Sequence, residues 1–263
     1  EGDTIMNRTL VWAASAAALM CCATSASAAD ASLPPLDDSS WQITVAPYVW
    51  AAGIEGKSGL FGFPPQDIDV SFVDTLENLE MTFSGVTEMR KGPISFSTDI
   101  LYGRIGPNIN TPKGILATKI NATVTTFMGT AVMGYSAYMS DSATFDLVAG
   151  ARLWSAENDF KFRGGALDGT SVDDGDTWID PVIGAKFKSD IGGDFYLAGW
   201  GLIGGFGVGS DIMWDVMGGI GYNFNDRMSM FAGYRAMHDD YSNDGFVSKI
   251  TQTGPIIGGS FSF

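Results

Sequence analysis

Within residues 143–155 the odd positions read Ala143, Phe145, Leu147, Ala149, Ala151, Leu153 and Ser155, and the even ones Thr144, Asp146, Val148, Gly150, Arg152 and Trp154. Within 177–187, Ile179, Pro181, Ile183, Ala185 and Phe187 alternate with Trp178, Asp180, Val182, Gly184 and Lys186. Met81, Phe83, Gly85 and Met89 stand in the same way against Thr82, Ser84, Glu88 and Arg90. A repeat of two belongs to a β-strand, whose side chains leave on opposite faces. A strand oily on one face and charged on the other separates two different solvents. Ten such segments follow one another: 41–52, 81–91, 94–106, 116–139, 143–159, 177–189, 194–206, 210–223, 228–240 and 247–263. The alternation of 116–139 changes phase near Gly129, where a β-bulge is expected.

The connections alternate as well. "KGP" at 91–93, "SDS" at 140–142, "DIGGD" at 190–194 and "FNDR" at 224–227 are tight turns, whereas 53–80, 107–115, 160–176 and 241–246 are long. Only 207–209 breaks the rule. Short turns on one side and long loops on the other are the habit of an outer-membrane barrel with both chain ends in the periplasm, and that geometry requires an even strand number. The fold class expected is therefore all-β: a transmembrane antiparallel up-and-down β-barrel of about ten strands.

Composition agrees. The chain carries 34 glycines and 17 phenylalanines with only 17% charged residues, and its mean hydropathy is slightly positive. After Ala28 no run of roughly 18 apolar residues offers a spanning helix. The net charge of −15 argues against nucleic acid, which needs clustered Lys and Arg. Such acidity suits a surface where divalent cations bridge anionic groups.

"MNRTLVWAASAAALMCCATSASAAD", from Met6, reads as a secretory leader: Arg8, an apolar core at Leu10–Cys22, and the small-residue cleavage site Ala26-Ser27-Ala28. Residues 1–28 are expected to be an upstream extension and cleaved leader, 29–40 a periplasmic lead-in, and 41–263 the barrel. Both cysteines, Cys21 and Cys22, leave with the leader. The barrel must then hold together without a disulfide.

The last strand ends on alternating Pro255, Ile257, Gly259, Phe261 and Phe263, the face expected to meet lipid. Ile257, Phe261 and Phe263 resemble the terminal signal that bacterial outer-membrane barrels present to their assembly machinery. Four stretches carry a wider likeness: "PYVWAAGIEG" at 47–56, "DVSFVDTLENLE" at 69–80, "GGFGVGSD" at 204–211, and "GYRAMHDDYSNDGF" leading into "GPIIGG" at 233–259. Together they resemble a family of uncharacterised proteobacterial outer-membrane β-barrel proteins. The resemblance implies a Gram-negative outer-membrane location, with the lipid bilayer, lipopolysaccharide and the barrel assembly machinery as partners. Where that family usually has an aromatic, this chain has His238.

Few motifs carry chemistry. The glycines of "GGFGVGSD" are followed by a strand, "IMWDVMGGIGY", and not by the helix a phosphate loop needs, so they read as a hairpin. His238 beside Asp239 and Asp240 offers a general base at the level where omptins, ten-stranded outer-membrane proteases, keep theirs. Ser242 adds a possible comparison with lipid A deacylases. Neither likeness goes beyond fold and proximity, and no catalytic residue is assigned. One histidine and no cysteine after the leader leave no metal-ligand cluster, and no cofactor is expected. The acidic stretch "DGTSVDDGD" at 168–176 lacks the ligand order of an EF-hand loop. Val73, Leu76 and Leu79 stand at helical spacing, so residues 73–80 form a short helix over the mouth or on the surface. Trp41, Tyr48, Trp50, Tyr102, Trp178, Trp200, Trp214 and Tyr222 supply candidates for interfacial aromatic girdles.

The inward set says most. Glu88, Arg90, Asp99, Asp146, Arg152, Asp180, Lys186, Asp215 and Arg235 all fall on the lumen face. They fit a salt-bridged polar core or a constriction that selects small solutes. About eight strands leave little more than side-chain space and open porins need roughly sixteen, so ten allow at most a thin path. The expectation is a non-enzymatic barrel of structural or surface-exposed role with a largely plugged lumen. A small selective channel is the alternative, and a hydrolase using His238 with Asp239, Asp240 or Ser242 the third reading.

Overall fold

The computed structural model describes residues 40–106, 108–110 and 117–263. The expected leader and nearly all of the lead-in lie outside the described residues. Thirteen strands are found among the described residues: β1 (Gln42–Trp50), β2 (Gly53–Gly59), β3 (Gln66–Val70), β4 (Leu79–Lys91), β5 (Ile94–Ile105), β6 (Asn108–Asn110), β7 (Lys119–Met139), β8 (Ala143–Arg163), β9 (Ser171–Gly192), β10 (Phe195–Gly205), β11 (Ile212–Asn225), β12 (Met228–Asn243) and β13 (Phe246–Ser262). Ten of them, β1, β4, β5 and β7 to β13, pair in that order, and β1 pairs β13 to close the wall. Thr44 stands opposite Ser262, Tyr48 opposite Gly258 and Trp50 opposite Ile256. A closed antiparallel barrel leaves no free edge along its wall.

The oily faces meet in register. Phe145, Leu147, Ala149, Ala151 and Leu153 of β8 lie opposite Phe187, Ala185, Ile183, Pro181 and Ile179 of β9, and Ile179 and Ile183 are more than half exposed. This band has the length of a spanning strand, about 9–11 residues when tilted. Aromatic residues ring its lower margin near the short turns. Phe195 and Tyr222 meet edge to face at 5.0 Å, and Tyr222 meets Phe224 at 5.3 Å. Pro255, Ile257 and Phe261 lie exposed on the outer face of β13, with Phe263 exposed just beyond its end, and the Phe263 amide donates to the Ile43 carbonyl.

Above the band the strands outrun the expectation. Residues 160–163 and 171–176, read from sequence as loop, continue β8 and β9. The span 241–246 is a hairpin turning at Asp244-Gly245, both with positive φ. Above this band the two faces of β9 are alike in polarity over 171–176, so the alternation that marks a strand fades while its hydrogen bonds persist. The first long connection is also structured. Strand β2 takes over the upper half of β13 where β1 has ended, pairing Gly53 with Thr253 through to Gly59 with Val247, and β3 pairs β2. Between β3 and β4 lies α1 (Phe72–Glu77), started by the Ser71 hydroxyl, which accepts from the Asp74 amide at 3.2 Å. The helix stops before Leu79, which already belongs to β4, so the 73–80 spacing spans two elements. It packs against β2.

The bulge expected at Gly129 is absent. Strand β7 pairs β5 in unbroken register from Ile105↔Val124 to Ile94↔Tyr135, and the irregularity against β8 falls between Ser136 and Tyr138. The apparent phase change has another cause: the lumen accepts Met128 and Val132 here, both buried.

Candidate functional site

All nine charged residues singled out in the sequence point into the barrel, where they form three layers. Nearest the short turns, the Lys186 ammonium donates to Ser97 Oγ at 2.6 Å and meets Glu88 Oε2. Arg90 Nε lies 3.0 Å from Glu88 Oε1, and its other end binds Asp146. The Ser136 hydroxyl also donates to Asp146, at 2.6 Å. Every long cation in this layer has a carboxylate and a hydroxyl.

The middle layer is the tightest. Arg152 and Arg235, reaching in from β8 and β12, share Asp215. Their Nη2 atoms lie 2.6 and 2.7 Å from the same Oδ2. All three side chains are essentially 0% exposed. Arg152 Nε also donates to Thr130 Oγ1 at 2.8 Å. Arg235 donates to Asp99 at 2.8 Å and to the Tyr48 hydroxyl at 2.9 Å, and that hydroxyl donates onward to Asp99 at 2.8 Å. The guanidinium is flanked by Trp50 and Trp200, with ring centroids at 5.0 and 5.1 Å. A guanidinium suits this place because its planar fork serves several acceptors and its faces stack on aromatics. A buried charge so fully partnered avoids the penalty of an unpaired one. Between the first two layers a cavity of about 40 Å³ is lined by Ser97, Asp99, Thr130, Arg152, Lys186 and Asp215 among others. That is room for a water or so.

The outer layer is aromatic and acidic. Trp178 stacks on Tyr241 at 4.0 Å and 5°, with Trp154, Met128, Met237 and Phe246 in the same cluster and Leu60 packed against it. Leu60 precedes the turn joining β2 to β3, and Phe61 in that turn meets Phe160 of β8 at 6.2 Å. The first connection therefore reaches the β8–β9 hairpin. Outside the band, Asp176 accepts from Tyr241 Oη at 2.8 Å and from Asn243 Nδ2 at 2.9 Å. Partial burial raises its carboxyl, but these bonds and the Thr177 amide outweigh burial and hold it below the usual carboxylate range. Burial and the bond to Asp176 push Tyr241 up to about 12.

Asp180 has no ion pair among the described residues. It lies beneath the β10–β11 connection, where Ser210 N donates to its Oδ1 at 2.6 Å and Ser210 Oγ lies 2.8 Å from its Oδ2. Sequence reasoning left Ser210, Tyr48, Trp50 and Trp200 without a lumen role and tied Asp239 to His238. The signal for Asp239 was present: Arg235, Met237 and Asp239 share one phase of β12, and all three are buried. The three aromatics and Ser210 carried no such mark, since an inward Tyr or Trp looks like a girdle residue in sequence.

His238 takes the other phase. It stands on the outer face of β12, stacked on Trp214 at 5.8 Å and 21°, and its Nδ1 shares a hydrogen bond with Thr251 Oγ1 at 2.9 Å. Asp239 is on the opposite face and cannot orient it. Asp240 shares the outer face but pairs with Lys249 at 2.8 Å, and that bond and charge hold Lys249 above its usual range. Of the proposed girdle residues, Trp214 and Tyr222 face outward, while Tyr48, Trp50, Trp178 and Trp200 face the lumen.

No protein-family model matches the chain, and no curated protein matches it in sequence. Solved structures do. The outer membrane protease OmpT from Escherichia coli is similar over 85% of this chain and 97% of its own, at 11% identity and a TM-score of 0.50. The translocator domain of the autotransporter NalP from Neisseria meningitidis covers 86% and 89%, at 12% identity and a TM-score of 0.41. Ail of Yersinia pestis covers 86% and 99%, at 10% identity and 0.35. At such identity the likeness concerns the fold alone. With a closed ten-stranded wall and an outward apolar band, the chain has the fold of Gram-negative outer-membrane β-barrels.

Proposed function

We propose that this chain is a non-enzymatic outer-membrane barrel whose lumen is closed by its own side chains and whose role is structural or surface-exposed. One observation carries the reading: Arg152 and Arg235 meet on one carboxylate at the middle of the lumen with no exposed surface left. A conducting constriction keeps its charges hydrated and offers them to the passing ion. These charges are spent on one another. Support for the absence of catalysis comes from His238, whose ring is engaged by Trp214 and Thr251 and turned away from Asp239.

The likeness of residues 47–56, 69–80, 204–211 and 233–259 to an uncharacterised proteobacterial barrel family is consistent with this role. Lipopolysaccharide as neighbour, and recognition of Ile257, Phe261 and Phe263 by the barrel assembly machinery, belong to the same proposal.

Single-channel recording of the refolded chain in a planar bilayer tests it, with folding checked by the different gel migration of heated and unheated samples. Silence from folded protein is the expected result. Discrete, reproducible openings would overturn the closed lumen and make Arg152, Asp215 and Arg235 a selectivity filter.

A further inference from the structure

Asp180 of β9 and Asp239 of β12 are both buried at the outer end of the lumen, joined through one hydroxyl. Ser210 Oγ lies 2.8 Å from Asp180 Oδ2 and 2.6 Å from Asp239 Oδ1, and it accepts the Trp178 indole N–H at 2.9 Å. A serine hydroxyl has one hydrogen and two lone pairs. It can donate to one carboxylate only. The second short contact therefore needs a hydrogen from the acid itself. Asp180 already accepts the Ser210 amide at 2.6 Å and is the natural acceptor for the hydroxyl. Asp239 Oδ2 is buried without a partner, which a neutral carbonyl oxygen tolerates at far less cost than half of an ionised carboxylate.

We infer that Asp180 and Asp239 hold a single proton between them, and that this proton latches the 206–211 connection into the mouth of the barrel. Asp239 Oδ1–H donates to Ser210 Oγ, whose hydroxyl donates to Asp180. Two like-charged carboxylates at this distance do not ionise together in a buried site. The groups around the pair do not supply a substitute for the proton. Arg152 on β8 is the cation whose field reaches Asp239, but it is bound to Asp215 and Thr130. Trp178 and Asp176 come from β9, Tyr241 from β12 and Ser248 from β13, and none of them is a cation. Strand β11 offers the apolar Met213.

The connection is built to depend on this contact. Ser210 is fully buried, while Phe206 and Val208 beside it are 54% and 72% exposed. Gly209 passes so close that a Cβ there would lie 2.7 Å from Asp180 Oδ1. Apart from Ser210, the Asp211 amide bonds to the Asp240 carbonyl at 2.8 Å. When the proton leaves for water, one hydroxyl faces two carboxylates, and the outward move of Ser210 lets both hydrate. Opening releases one proton, so the opening constant rises about tenfold per pH unit until the closed pair itself deprotonates.

The test joins two measurements on the folded, lipid-inserted chain. Infrared difference spectra of wild type against Asp239→Asn report the protonated-carboxyl band. Amide exchange of residues 206–211 across pH, corrected with an unstructured peptide of that sequence, reports opening. Expected are a carboxylic-acid band lost in Asp239→Asn, and corrected exchange rising about tenfold per pH unit in wild type. It should be flat in Asp239→Asn, whose amide still donates to Ser210. Absence of the band, or exchange that ignores pH in wild type, overturns the latch. Exchange that follows sodium and not pH overturns it too, placing a metal ion where the proton was inferred. If Asp239→Asn fails to fold, the wild-type band must vanish over the same pH range in which exchange accelerates, and a mismatch sinks the idea.

Discussion

Arg152 and Arg235 reach the same oxygen of Asp215 from two strands that are not neighbours in the wall. Asp215 is thus the anion the two buried guanidinia share; it is Arg152's ion-pair partner among the described residues, while Arg235 also has Asp99. Asp215→Asn leaves both without their shared anion. It should lower stability by roughly 3–5 kcal/mol, the scale for breaking a buried pair, read from urea unfolding of the lipid-inserted protein. The ion pair Arg104–Glu80, 2.8 Å long but about half exposed on both sides, provides the contrast. Glu80→Gln should cost less than about 1 kcal/mol and less still in high salt.

Asp176 makes the upper hairpins sensitive to acid. Its carboxyl is held low in the folded state, so its contribution is present above the unfolded value of about 3.9 and is lost as pH falls through the lower folded value. Protection of residues 171–177 against protease should therefore weaken in acid. Asp176→Asn should be weaker at neutral pH and show no such acid step. Tyr241→Phe, which deletes one of the three donors, should move the acid step upward.

His238 is expected to be replaceable. His238→Phe keeps the stack on Trp214 and gives up only the bond to Thr251, so folding stability should change by no more than about 0.5–1.5 kcal/mol. His238→Ala also loses the stack, a further amount on the order of 0.5–1.5 kcal/mol. Peptidase and lipid A deacylase assays on wild type should be blank. Turnover that disappears in His238→Phe would reverse the non-enzymatic reading.

Tyr196 lies across Gly221, its registered partner on β11. A Cβ at 221 would come within 2.0 Å of the ring, and the phenol is held by Ser229 at 3.0 Å. Gly221→Ala should cost about 1–3 kcal/mol by overpacking. Combining it with Tyr196→Ala should cost less than the sum of the two, because the clash needs both partners.

The wall was readable because lipid on one side and charge on the other impose the alternation residue by residue, as in Phe145-Asp146-Leu147. The same logic placed Arg152, Asp215 and Arg235 inside. It failed above the apolar band: residues 171–176 have no oily face to mark one side, and with 160–163 they read as loop. It failed again where the lumen is oily, since Met128 and Val132 mimic a phase slip at Gly129. Which lumen charges meet was not legible at all. Arg235 finds Asp99 and Tyr48 across 136 and 187 positions of sequence, a distance set by barrel curvature and invisible to any local pattern.

That curvature also orders assembly. The pair Thr44 and Ser262, 218 positions apart, joins two strands with eight others between them in the wall, and contacts of such separation carry a large loop-closure cost. Without the seam Arg235 on β12 has no Tyr48 of β1 to reach, and an open sheet would present its charged face to water. Pairing β1 with β13 closes the wall and excludes that water. Closing the wall is therefore also a dehydration of the lumen, and the salt bridges are what the departing water leaves behind.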